Sequence, residues 1–300
     1  MCVFLKNQTV GTYSIKELEK LSGIKAHTIR IWEKRHNLIH PSRTSTNIRF
    51  YSDEDLKKII NVSLLNNHGV KISRIAGMSP DEINKTVLNV TASQTSAAAY
   101  IEQLVVAMVD LDEAHFDTIV ATLVRKFGFE RTVTEAIYPF LEKIGVLWLT
   151  QNINPAQEHF ISNLIRQKII AAIDALPHAV NSKKKILLFL PEREMHEMGL
   201  LFHCYLAKQA GLKVYYLGQN VPHSDLVSVV NTHQPQTIVT SITVTMPMGI
   251  TAYLSRLSEE FKDRKILVSG LQTAELSGKL PANVQIFRNA SSFKDLISKL

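Results

Sequence analysis

From Lys184 to the C-terminus, short apolar runs alternate with longer amphipathic segments, and this alternation constrains the fold more tightly than any other feature of the chain. The runs are Ile186 to Leu190, Val214 to Leu217, Ile238 to Val244, Ile266 to Val268 and Val284 to Phe287. Continuous apolar runs of this length suit strands buried on both faces, and helix-length segments between them favour parallel pairing. Five strands, four intervening helices and a last helix from Ser292 to Leu300 predict an α/β, doubly wound, flavodoxin-like five-stranded parallel sheet over 184–300.

Upstream the period changes. From about Ser96 to Leu176 apolar residues recur at helical spacing, as in Ile101, Leu104, Val105 and Met108, or Ile119, Leu123 and Phe127. This predicts a four-helix bundle over 90–178. Asn154, Pro155 and Gln157 read as the N-cap, first and third positions of a helix, so Trp148 precedes a helix break and Glu158 with His159 follows it.

From Ser14 to about Lys85 the helices are short and explicitly started, by Ser14 with Glu17, Ser52 with Asp55, and Ser79 with Pro80 and Glu82. Between His40 and Tyr51 a stretch rich in Ser, Thr, Asn and Arg has the composition of a small hairpin. An all-α winged helix-turn-helix over 1–85 is expected, with linkers near 86–96 and 177–184.

The net charge of +7 is concentrated in this first segment: residues 1 to 90 hold 14 Lys and Arg against 8 Asp and Glu. Basic character confined to one module is what a polyanion-binding surface requires. Two cysteines, Cys2 and Cys204, permit neither a disulfide framework nor a thiolate metal site. No run approaches a membrane span and Met1 to Val10 lacks signal-peptide character, so a cytoplasmic protein with no membrane partner is expected.

In the first helix Ile15, Leu18 and Leu21 share a face; Gly23 permits a tight turn; Ile24, Ile29 and Trp32 close a core from the second helix. This leaves Lys25, His27, Thr28 and Arg30 facing outward, where Arg or Thr can reach base edges in the major groove, and Lys34, Arg35, Arg43 and Arg49 available for phosphates. Thr28, Arg30, Trp32, Glu33, Arg35, Leu38, Pro41, Arg43, Arg49 and Tyr51 together resemble the MerR pattern of recognition helix followed by wing. The resemblance implies Thr28 and Arg30 in the groove of double-stranded promoter DNA, and Arg43, Arg49 and Tyr51 anchoring the wing to the backbone. It also implies a homodimer or homotetramer, with RNA polymerase as a further partner, and a regulator rather than an enzyme. The metal-sensing branch needs cysteines after the wing, and this chain has none there.

After the first predicted strand, Glu194, His196 and Gly199 follow in the order E-x-H-x-x-G, at the start of a helix expected near Met195. The third strand carries Ser241 and Thr243 near its end, and the fourth delivers Ser269 and Gly270. In the flavodoxin-like order these three strands are neighbours, and ligands bind at the carboxyl ends of strands in such sheets. The set resembles the cobalamin-binding domain of methionine synthase, corrinoid carrier proteins and the CarH and LitR light-sensing regulators.

By that resemblance the cofactor is cobalamin, as adenosylcobalamin or methylcobalamin, and His196 is the lower axial ligand of its cobalt. A carboxylate on the other ring nitrogen would fix the tautomer. Ser241 and Thr243 would contact the nucleotide tail and Gly270 would leave room for it. Trp148, with Glu158 and His159 after the spacing used in CarH-type bundles, would cover the upper face.

Three positions depart from the family form: Glu194 replaces Asp, Ser269 replaces the first glycine of a pair, and Leu149 stands where the photosensory branch has a histidine. Three readings follow: a MerR-type regulator controlled by cobalamin, with or without a response to light; one whose sheet domain has lost the cofactor and serves oligomerisation or protein binding; and a corrinoid carrier for methyl transfer.

Overall fold

In the computed structural model, residues 13–44, 46–92, 96–149, 155–179, 182–276 and 280–300 are described. The chain packs as two units, Met1–Ile165 and Arg166–Leu300.

The first unit opens with α1 (Ile15–Ser22) and α2 (Ala26–His36), then the wing strands β1 (Ser42–Arg43) and β2 (Arg49–Phe50), and α3 (Asp53–Asn67), α4 (Ile72–Ile75) and α5 (Pro80–Ala92). Of the three expected capping boxes, those at Ser14 and Ser52 form with both reciprocal bonds. At the third start, the Ser79 N–H donates to Glu82 Oε2 while the Glu82 N–H donates to Ser79 Oγ. Gly23 ends α1 in the left-handed conformation at φ 73°, its N–H donating to Glu19 O, which swings the chain into α2. The core here comprises Leu18, Leu21, Ile29, Trp32, Leu38, Tyr51, Leu56 and Ile59. Helix α5 runs through residues 86–92, so the segment expected to be linker is helical there, carried on by Val87 packed into the core.

The bundle comprises α6 (Ile101–Val109), α7 (Glu113–Phe127), a long helix built of α8 (Phe129–Thr132), a π-turn (Val133–Ile137) and α9 (Tyr138–Leu149), and then α10 (Pro155–Asp174). Leu104, Val105, Met108, Phe116, Ile119 and Leu123 are buried along its seam. Helix-turn-helix and bundle share one unit: α3 packs on α6, Gln103 Nε2 donates to Asn61 Oδ1 at 3.3 Å inside the contact, and Lys57 pairs with Asp110 at 2.6 Å beside it.

In the second unit β3 (Lys185–Pro191), β4 (Lys213–Val221), β5 (Thr237–Ser241), β6 (Lys265–Ser269) and β7 (Val284–Ile286) form a wholly parallel sheet in the order β4-β3-β5-β6-β7. The crossovers are α11 (Met198–Gln209), α12 (His223–His233) and α13 (Ile250–Glu260), with α14 (Ala290–Ile297) last. Where a fourth crossover helix was expected, only a 3₁₀ turn, Leu271–Glu275, is described, and the last helix starts earlier because Asn289 caps it and Ser292 is its third residue.

Strand alternation divides the sheet into two faces. Leu187, Phe189, Ile238, Ile242, Ile266 and Val268 pack with Leu226, Leu254 and Leu257 of α12 and α13. The intervening positions, Leu188, Leu190, Ser241 and Ser269 among them, are buried on the side of α11 and α14. Each fully buried large apolar side chain contributes roughly 1.5–3 kcal/mol, so these faces rather than any single contact hold the fold. Cys204 lies buried in α11, its thiol pushed up to about 11 by burial, and is inert at neutral pH.

Candidate DNA-binding surface and cofactor site

The turn between α1 and α2 is fastened by Glu19. Its Oε2 accepts the Ala26 N–H at 3.1 Å, capping a helix whose own N-cap residue, Lys25, supplies no side-chain bond, and its Oε1 pairs with Lys25 Nζ at 3.1 Å. Helix α2 is thereby fixed with Ile29 and Trp32 inward, while Lys25, His27, Arg30, Lys34 and Arg35 are exposed and Thr28 is half-buried.

At the wing, Arg43 and Arg49 face each other in register, but only Arg43 is exposed, its Nη1 donating to Asn47 Oδ1 at 2.6 Å. Arg49 lies half-buried against Glu33 of α2, Nε to Oε1 at 3.3 Å, and so ties wing to recognition helix.

Tyr51 departs from the expectation altogether. Its ring is 0% exposed, its backbone bridges to Tyr13, and its hydroxyl is buried with no hydrogen-bond partner among the described residues. The side chain is therefore core and cannot grip a phosphate; the antiparallel bridge to Tyr13, itself buried, holds it there.

At the carboxyl end of β3 the chain leaves the strand as a turn, and α11 begins at Met198 instead of near Met195. The cause is Glu194. Its carboxylate is 0% exposed, and Oε1 accepts the His196 backbone N–H at 3.0 Å and stands 2.7 Å from His196 Nδ1. Oε2 accepts the backbone N–H of Thr243 at 2.6 Å and of Val244 at 3.0 Å, and the Thr243 hydroxyl at 2.8 Å. Burial alone would raise this carboxyl's pKa, but three backbone N–H groups and the His196 ring outweigh it and hold it at about 2. An ionised acceptor at Nδ1 leaves the proton there and the lone pair on Nε2. Nε2 has no partner among the described residues, and the His196 side chain is 68% exposed.

The extra methylene of Glu194 thus lets one carboxylate span two loops, the one after β3 and the one after β5. Thr243 lies beyond the end of β5, which stops at Ser241, and its hydroxyl is committed to Glu194 and His196 rather than left for a nucleotide tail.

Ser241 and Ser269 sit opposite each other in adjacent strands, and the Ser269 hydroxyl is buried without a partner among the described residues. Gly199, in the first turn of α11, has open space where a Cβ would stand. A Cβ at Gly270, by contrast, would lie 2.3 Å from the Ile242 carbonyl oxygen at a φ of 105°, so this glycine is required by the chain's own backbone rather than by room for a ligand. Exposed Met195 and Leu271 add apolar surface at the same strand ends.

An unpaired buried hydroxyl, a free imidazole nitrogen and an open glycine cradle fit a large polar cofactor with one coordination position to fill. No cluster of three or more His, Cys, Asp or Glu able to hold a bare metal ion occurs among the described residues.

On the bundle, Glu158 and His159 lie near the start of α10, paired at 2.8 Å with His159 exposed. The side chains of Trp148 and Leu149, and Asn154, lie outside the described residues. Sequence reasoning missed Glu197, which is buried just after His196 and accepts from Arg166 of α10 and, at 3.1 Å, from the Tyr216 hydroxyl. It also missed the N–H groups of Thr243 and Val244, which no side-chain pattern announces.

A winged helix-turn-helix, a helical bundle and a doubly wound sheet bearing an oriented imidazole define a multidomain DNA-binding regulator. Residues 13–82 match the MerR HTH family of regulatory proteins, and residues 100–172 match the B12 binding domain. The chain is a MerR-type transcriptional regulator carrying a B12-binding domain.

It is 28% identical over 258 residues to the HTH-type transcriptional repressor CarH of Myxococcus xanthus, covering 84% of this chain and 82% of that protein. Over 217 residues it is 26% identical to the repressor CarA of the same organism, covering 72% and 71%. Among solved structures, the monomethylamine corrinoid protein of Methanosarcina barkeri aligns with a TM-score of 0.51 at 16% identity, over 66% of this chain and 96% of that one, and shares the fold. No helix among the described residues is long and apolar enough to cross a membrane.

Proposed function

We propose that this regulator binds cobalamin through His196 and that the bound corrinoid sets its affinity for double-stranded promoter DNA. The observation that carries the proposal is the His196–Glu194 pair: a buried, ionised carboxylate orients an exposed imidazole so that Nε2 offers its lone pair outward.

Bound cobalamin supplies a cobalt centre whose lower position an imidazole can fill. His196 would donate Nε2 to it, while Glu194 and Thr243 hold the ring and its Nδ1 proton. Ser241, Ser269 and Gly199 would receive the nucleotide tail on the α11 side of the sheet. Trp148, Glu158 and His159 would cover the upper face. Leu149 has no donor atom, which argues against an upper histidine ligand in the manner of the photosensory branch.

On the DNA side, Thr28 and Arg30 would read base edges from α2, and Lys25, His27, Lys34, Arg35, Arg43 and Arg49 would hold phosphates. Working units of 1–85, 90–178 and 184–300, action as a homodimer or homotetramer on paired half-sites, and a cytoplasmic site of action complete the reading. The two relatives similar over most of the chain are named repressors, which supports repression as the output.

Purified protein is to be mixed with adenosylcobalamin or methylcobalamin in the dark, passed through gel filtration and its spectrum recorded. Co-elution with a histidine-ligated corrinoid spectrum that His196→Ala abolishes is expected. A folded sample that carries no corrinoid refutes the reading and favours a sheet domain that serves oligomerisation instead.

A further inference from the structure

The sheet has a second concavity at its carboxyl edge, on the face opposite Ser241 and Ser269. It encloses about 390 Å³ and is walled by the end of β3, the starts of α12 and α13, and the loop after β5. Its floor is apolar: Phe189, Leu226, Met246 and Tyr253 belong to the core of that face. A cavity of this size, at the point where the strand order reverses between β4-β3 and β5, is where open parallel sheets take small ligands.

Its polar lining is cationic on balance. Arg193 and Arg256 both line it, and neither guanidinium has a hydrogen-bond or ion-pair partner among the described residues. Glu192, the one acidic lining residue, is already engaged: its Oε1 accepts the His223 backbone N–H at 3.4 Å, at the start of α12. Burial and the charge of Arg256 lower the His223 pKa, Glu260 and Glu192 opposing them, so the imidazole adds no charge at neutral pH.

Backbone strain sits at the same place. Arg193 at φ 71° and Asn220 at φ 53° both adopt the left-handed conformation, and the Arg193 N–H donates to Asn220 Oδ1 at 2.9 Å. Non-glycine residues held this way concentrate at ligand sites.

We infer that this cavity is a second ligand site, for a small organic acid whose aliphatic or aromatic body enters the apolar floor and whose carboxylate meets Arg193 and Arg256. The same two loops wall the cavity and carry the His196 machinery: Arg193 immediately precedes Glu194, and Met246 and Met248 follow the Thr243–Val244 backbone that Glu194 grips. Occupancy is therefore read at the imidazole, and the site is an effector input separate from the tail face.

The test uses the full chain without corrinoid, so that its failure and the failure of cobalamin binding are distinguishable. Octanoate is titrated by calorimetry, with octan-1-ol and octylamine as uncharged and cationic analogues, and the His196 ring resonance, assigned by its loss in His196→Ala, is followed in parallel.

Saturable octanoate binding that shifts this resonance is expected, with weak or no binding of the analogues. Arg256→Glu should weaken octanoate by about tenfold or more and Arg256→Lys much less, as a charge-assisted contact requires. Equal affinity for octan-1-ol, or for the Arg256→Glu variant with an unchanged far-UV spectrum, overturns the site. Binding that leaves the His196 resonance in place overturns the link to the imidazole.

Discussion

His196 Nδ1 stands 2.7 Å from Glu194 Oε1, while the other oxygen of the same buried carboxylate gathers the N–H groups of Thr243 and Val244. One side chain therefore fixes both the ring that faces the ligand and the loop beside it. The arrangement makes Glu194 a joint between two strand ends as well as a partner for histidine.

The Glu194 carboxyl is held at about 2, below the ordinary carboxylate value near 4.3, so it binds protons less readily folded than unfolded. Its stabilisation is present above the unfolded value and is lost as pH falls through that value toward 2. Unfolding free energy of the wild type should decline over roughly pH 5 to 2 by an extra amount on the order of 3 kcal/mol relative to Glu194→Gln. Urea titrations at successive pH values measure it; parallel curves for the two proteins contradict the assignment.

The two glycines near the site should answer differently to alanine. Gly270→Ala drives a Cβ to 2.3 Å from the Ile242 carbonyl oxygen at a positive φ and should cost about 2–4 kcal/mol of stability. Gly199→Ala meets open space in the first turn of α11 and should leave the corrinoid-free protein as stable or up to about 1 kcal/mol more so. In the presence of cobalamin the added methyl should weaken binding. Thermal melts with and without corrinoid separate the two effects, and a Gly199→Ala protein that binds as tightly as wild type removes this residue from the site.

On the wing, Arg43 and Arg49 should separate. Arg49→Ala leaves the half-buried Glu33 carboxylate without its cation and should lower stability by about 1–2 kcal/mol, whereas Arg43→Ala should leave stability within about 0.5 kcal/mol. Both should weaken DNA binding for all sequences alike and reduce its salt dependence, while Arg30→Ala should relax discrimination between sequences. Fluorescence anisotropy across a salt series distinguishes them; salt-insensitive binding contradicts the phosphate roles.

Tyr51→Phe removes a hydroxyl that is buried without a partner among the described residues, so it should be neutral or stabilising by up to about 1 kcal/mol. DNA affinity should not change. A several-fold loss of affinity with unaltered stability would restore Tyr51 to the interface.

Much of this fold is legible in the residues because the signals are local. Ser14, Ser52 and Ser79 announce helix starts that form with their reciprocal bonds, and the apolar runs place all five strands within a few residues. The site is legible only as far as side chains carry it. His196 and Glu194 follow from their spacing, but the turn that holds them depends on backbone N–H groups of a loop fifty residues away, and this is why the helix start near Met195 and the free hydroxyl of Thr243 are misread. Tyr51 shows the complementary failure: a family pattern places it beside the basic wing, while its backbone bridge to buried Tyr13, a pairing of residues far apart in sequence, sets its ring in the core.

The central claim joins the two ends of the chain, and the most direct measurement reads both at once. A DNA fragment selected from a random library by the corrinoid-free protein is titrated with wild-type and His196→Ala protein, each with and without adenosylcobalamin in the dark. Affinity is predicted to change by about tenfold or more on cobalamin addition for the wild type, within the usual range of allosteric coupling, and to stay constant for His196→Ala. A wild-type protein that carries the corrinoid yet binds the fragment with unchanged affinity would contradict the account.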